Sequence, residues 1–248
     1  MKCAGSASWA GVVRRAIALA MGIAGMTAWS VAEEKKIPYI DLQPKANQNM
    51  TDPLHRETSI GNNLAELPKG EQTFESVKFK IGDRLIQLGG KILPDKPLKV
   101  DGIQVDKTFE KLHILHATGF GNGMEGDDIF VADDTLVGQY TVNYEDKTSE
   151  VIQIIYGKDV RDWWYDEDSK GVTRGKVAWK GNNEFAKNNG AMIRLYLATW
   201  KNPKPDKKVV SIDPESCVNS VTMFRKWMRK SMKTQRHGKP GLGHKPTF

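Results

Sequence analysis

The chain has 248 residues, 39% hydrophobic and 27% charged, a balance that fits one or two globular domains and excludes a disordered chain. Two cysteines, Cys3 and Cys217, are too few for a disulfide framework, and no apolar run approaches the ~20 residues of a membrane-spanning helix. The net charge of +7 sits at the ends: residues 217–248 carry eight Lys/Arg and no acid, and residues 1–32 three cations and no acid, which leaves 33–216 at −4. A mildly acidic body argues against a nucleic-acid binder.

The first segment has the pattern of an export signal. Lys2, Arg14 and Arg15 precede the apolar stretch Ala16–Trp29, and Ser30-Val31-Ala32 places small residues before a cleavage point. Removal of 1–32 and a mature start at Glu33 are expected, with an exported, periplasmic or extracellular product.

Residues 33–75 are rich in Asn, Pro, Gly and charge and predict an extended lead-in with turns. Strict alternation then begins, with Val77, Phe79 and Ile81 between Lys78 and Lys80, as in a strand with one buried face. Further strands are predicted at 84–88, 98–105, 108–116, 136–144, 150–156, 176–179, 192–200 and 208–212, with a short helix at 182–187. Many strands separated by turn residues, without alternating helices, predict an all-β sandwich or barrel over 33–216. In 217–248, Val221, Phe224, Met228 and Met232 recur at helical spacing among basic residues. This predicts a basic C-terminal extension, partly helical or disordered.

Motifs for catalysis are few. Gly121, Gly123 and Gly126 form a GxGxxG, but acids follow where phosphates would sit and no helical period begins. The run from Asp166 to Gly171 is half an EF-hand loop, but it has Lys170 at the fifth position and Val177 at the twelfth. Glu125, Asp127, Asp128, Asp133 and Asp134 are candidate ligands for a calcium site of another type, or else solvated loop charges. His113 and His116, three apart on a predicted strand, face opposite ways and cannot share a metal. No HExxH, CxxC or GxSxG is present.

The aromatic residues say more. Trp163, Trp164 and Tyr165 follow a strand, and Trp179 and Trp200 end others. Adjacent strand residues face opposite ways, so Trp163 and Trp164 are not expected in one core. An aromatic at a strand end can stack on a sugar ring, or it can close the end of the core.

The segments HATGFG (116–121), VGQYTVNYEDKTSEVIQIIYGKDVRDWW (137–164), VAWKG (177–181) and LYLATWKNPKPDKKVVSID (195–213) resemble the galactose-binding-like jelly-roll module of exported bacterial proteins. That module occurs beside glycoside hydrolase domains and as a stand-alone protein. The resemblance covers about 38–213 and implies a jelly-roll β-sandwich. The chain departs from it after Asp213, where a basic segment takes the place of further strand.

These observations lead to a non-catalytic carbohydrate-binding module whose partner is a glycan. Trp163, Trp164, Tyr165, Trp179 and Trp200 are the stacking candidates, and His116, Arg161, Asp162 and Asn182 are the candidates for sugar hydroxyls. The rivals are a cell-envelope protein-interaction module and a glycoside hydrolase or its accessory domain.

Overall fold

The computed structural model describes residues 39–121, 125 and 130–217. The expected leader at 1–32 and the extension from residue 218 onward lie outside the described residues. Among the described residues no helix is long and apolar enough to cross a membrane.

The body is all-β. After a 3-10 turn at Gln43–Lys45 come β1 (Gln48–Asn49), β2 (Gly70–Phe74), β3 (Val77–Ile81) and β4 (Arg84–Leu85). The larger strands follow: β5 (Ile103–Lys107), β6 (Lys111–His116), β7 (Leu136–Tyr144), β8 (Ser149–Ile155), β9 (Trp164–Tyr165) and β10 (Lys176–Gly181). Helix α1 (Glu184–Asn188), then β11 (Met192–Lys201) and β12 (Val209–Ser216) complete it. The side chain of Asn183 accepts from the Ala186 amide and so caps α1, which starts the helix two residues later than the sequence pattern suggests.

Two four-stranded antiparallel sheets form a sandwich, one ordered β5-β12-β7-β8, the other β10-β11-β6 with β9 paired to β11. Their facing side chains share one core. Leu112 and Tyr196 from the second sheet meet Val142, Tyr144, Ile152, Ile154, Val209 and Ile212 from the first. Val142 and Tyr144, and Ile152 and Ile154, alternate along their strands as burial of a single face requires, and an irregularity between Val209 and Ser211 lets Val209 and Ile212, three apart, share that face.

Strand β12 continues to Ser216 although the sequence pattern ends at Ile212. Pro214 does not stop it, because its carbonyl, and with it the nitrogen that lacks a proton, points toward Val100. The Val100 amide donates to the Pro214 carbonyl at 3.0 Å, and the ladder with β7 runs on to Gly138.

The stretch before Val77 is more than a lead-in. Met50, Leu64, Leu67 and Phe74 lie over the outer face of the second sheet and bury a second core with Ile193, Leu195, Trp163 and Ala186. Strand β11 is therefore covered on both faces. Odd residues Ile193 and Leu195 face the N-terminal cover, while even residue Tyr196 faces the other sheet.

Strands β2 and β3 pair from Gly70↔Ile81 to Phe74↔Val77, which leaves Glu75 and Ser76 as a two-residue turn. Both have positive φ, 48° and 64°, the signature of a type I′ turn, whose usual sequence is Asn-Gly. Here neither residue is a common occupant, so the hairpin has no turn signal in the sequence. Combining Glu75→Asn with Ser76→Gly removes the steric cost of the left-handed backbone. It is expected to stabilise the protein by about 1–2 kcal/mol, read as a Tm higher by several degrees. An unchanged or lower Tm would show that the present turn carries no strain.

Candidate binding groove

Strand β11 pairs with β6 from Tyr196 to Lys201, but on its other side β10 reaches only as far as Leu197, opposite Lys176. Ahead of Lys176 the chain turns away: the amides of Arg174 and Gly175 both donate to the Lys158 carbonyl. Gly175 permits that approach, since a Cβ there would lie 2.3 Å from the Asp159 carbonyl oxygen. Among the described residues, the edge of β11 from Ala198 to Lys201 is thus left without a neighbouring strand on that side, and a groove of about 540 Å³ opens between it and β8.

Trp200 is half-buried in this groove, its inner edge packed on the sandwich core. Gln153, exposed, supplies a polar side chain, whereas Thr199, at the rim, has its hydroxyl 2.9 Å from His113 Nδ1. Arg174 crosses the groove toward Asp159, a buried carboxylate that is 3% exposed. Asp159 accepts from Arg174 Nε at 2.6 Å, from Nη2, and from the Ile155 amide at 2.8 Å. The Asp159 carboxylate, through this bond, raises the pKa of the Arg174 guanidinium above its ordinary value. At the rim, Lys176 stands 3.5 Å from Glu75 across exposed surface, a pairing that contributes little. Such a floor, one aromatic face ringed by fixed and mobile donors, can stack on a ring and hydrogen-bond its substituents.

Of the residues singled out from the sequence, Trp200 alone lines the groove. Trp163 is 4% exposed in the second core, and its Nε1 donates to His55 Nε2 at 2.8 Å. Trp164 packs against that same core with its Nε1 on Asn62. The expectation that neighbouring tryptophans take separate environments fails here because Trp163 sits at a bend just ahead of β9, where strand alternation does not apply. His55 lies against both indoles, with ring centroids 5.5 Å from each. Tyr165 is buried beneath the Arg194 guanidinium at 4.9 Å. Trp179 folds over Gly181, where any Cβ would strike its ring.

The polar candidates hold the opposite end of the fold together. His116 points between the sheets, its Nδ1 3.2 Å from the Tyr140 hydroxyl. Asp162, buried, accepts from the amides of Gly121 and Trp164 at 2.8 and 2.9 Å. Arg161 forms a two-pronged pair with Asp133 at 2.8 and 2.9 Å and donates to the Gly171 carbonyl. Asn182 stands near α1, its amide donating to Glu66.

Among the candidate calcium ligands, Asp133 is therefore taken by Arg161, and Asp134 by Lys158 at 2.6 Å. Glu125 is exposed, and Asp127 and Asp128 lie outside the described residues. Among the described residues, no group of three or more His, Cys, Asp or Glu gathers where an ion could sit.

Gln153, Arg174, Lys176 and Lys201 were not anticipated. They belong to no motif: the register of β10 against β11 brings Arg174, Lys176 and Lys201 to one edge, and the packing of the two sheets sets Gln153 of β8 across from them. Comparison of the chain with protein-family models, with curated proteins and with solved structures finds no match.

All three described imidazoles titrate low, His113 through burial and the charge of Lys111, and the other two by a large shift. Burial, aided by the charge of Arg56, pushes His55 down to about 4. Burial also pushes His116 down to about 4, against a smaller opposing pull from Asp159. Both are neutral in the folded protein, while the unfolded chain takes up protons near 6.5. Their contribution to stability is complete above that value and is lost as pH falls from about 6.5 to about 4. The Tm is expected to fall across this window, and His55→Gln, which keeps an acceptor for Trp163, to flatten the fall. A Tm that holds level down to pH 4 would contradict it.

Proposed function

We propose that this protein is a non-catalytic carbohydrate-binding module and that its glycan lies in the groove beside β11. The observation that carries the proposal is Trp200, an aromatic side chain half-buried at the floor of an open groove and edged by hydrogen-bonding groups. Of the two carboxylates of the groove, Asp159 is buried and held by Arg174 and only Glu75 is exposed, which favours binding over the paired acid and base of a hydrolase.

The winding of the chain supports a galactose-binding-like jelly roll. Strand β12 inserts between β5 and β7, and β11 between β6 and β10. The ribbon of β5 and β6 is thus matched by the later ribbon of β11 and β12. Export to the periplasm or cell exterior, resting on the pattern of residues 1–32, suits a module that meets polysaccharide there.

A second reading is a protein-interaction module of the envelope. The strandless edge from Ala198 to Lys201, with Val151 49% exposed beside it, would accept an extended peptide as an added strand.

Affinity electrophoresis through gels containing galactan, xylan or polygalacturonate tests the proposal. At least one polymer is expected to retard the protein. Trp200→Ala should weaken that retardation about tenfold or more, while Trp200→Phe, which keeps a ring and most of the packing, should retain part of it. Trp163→Ala should instead cost about 3–5 kcal/mol of stability. Retardation that survives Trp200→Ala would overturn the proposed site.

A further inference from the structure

The groove carries an excess of positive charge, and its donors are arranged to face outward. Five ionic side chains line it: Glu75, Asp159, Arg174, Lys176 and Lys201. Asp159 is buried and fully engaged, so its role is to fix Arg174 rather than to meet a ligand. Arg174 uses Nε and Nη2 on Asp159 and the Gln153 carbonyl. Its Nη1 has no hydrogen-bond partner among the described residues, and the side chain is 58% exposed. Lys201, exposed at the rim of the groove and directed by strand alternation to the opposite face of β11 from Trp200, has no ion-pair partner among the described residues.

An uncommitted guanidinium nitrogen held in place by a buried carboxylate is a built anion contact, because the entropy of fixing the side chain has already been lost on folding. An unpaired cation at the rim, Lys201, adds to it. A neutral sugar needs neither.

Resting on the proposed carbohydrate-binding reading, we infer that the groove selects an anionic polysaccharide. A ring would lie against Trp200, and carboxylate or sulfate groups of the chain would meet Arg174 and Lys201. The two anion chemistries share these donors and are separated by experiment.

The full-length protein is titrated with polygalacturonate, with a sulfated galactan and with neutral galactan, at low and at physiological salt. The variant is Lys201→Gln, which breaks no ion pair or side-chain hydrogen bond among the described residues. The control is Lys107→Gln, which removes the same charge from the exposed end of β5, the strand at the far edge of the other sheet. The control matters because the basic C-terminal segment attracts any polyanion.

The expected result is that at least one anionic polymer binds more tightly than neutral galactan. Lys201→Gln should weaken that binding about fivefold and Lys107→Gln less than twofold, and Lys201→Gln should cost neutral galactan less than it costs the anionic polymer. Loss with one anionic polymer alone assigns carboxylate or sulfate. Equal loss in both variants would place the attraction outside the groove and overturn the inference. Trp200-dependent binding of neutral and anionic polymers with equal affinity would overturn the inference and leave the carbohydrate reading intact. Absence of any Trp200-dependent binding would overturn both.

Discussion

Strand β11 has to bury both of its faces, and the arrangement of the molecule follows from that constraint. Ile193 and Tyr196 are each fully buried, yet strand alternation sends them to opposite sides of the sheet. Tyr196 is accommodated by the second sheet of the sandwich. Ile193 and Leu195 need another layer, which the N-terminal segment supplies through Met50, Leu64, Leu67 and the β2–β3 hairpin. At about 25 cal/mol per Å² of apolar surface removed from water, leaving that face uncovered would be prohibitive for a domain of this size. The cover is part of the fold rather than an appendage to it.

The same constraint locates the groove. The cover layer and β10 protect β11 up to Leu197, and the turn held by Arg174, Gly175 and Lys158 then carries the chain away. Beyond that point Trp200 has one edge in the core and the other toward solvent. A strand that is central along most of its length becomes an edge at its end, and that end is where the protein has both a rigid backing and open hydrogen-bonding capacity. Binding sites placed on rigid strands hold their geometry better than sites on loops.

The sequence made the β class and most of the long strands legible, because Leu136–Tyr144 and Met192–Lys201 are rich in apolar and β-branched residues and bounded by turn residues. It did not reveal the β2–β3 hairpin, whose Glu-Ser turn has none of the usual turn chemistry, nor the extension of β12 through Pro214. The site was harder to read. Aromatic residues were visible, but burial divides them: Trp163 and Tyr165 belong to the packed interior, and only Trp200 reaches the groove. Arg174 and Lys201 lie 27 positions apart and are brought to one groove by the register of Lys176 against Leu197. Strand register is a property of pairing, and a single chain pattern does not carry it.

Hydrogen exchange mapped along the chain, with and without a short polygalacturonate oligosaccharide, tests the central claim most directly. Amides on the strandless edge exchange through solvent in the free protein. The account predicts that the oligosaccharide slows exchange at 198–201 and 174–176 and leaves 162–165 unchanged. Protection confined to 162–165, or protection nowhere on the body, would contradict it.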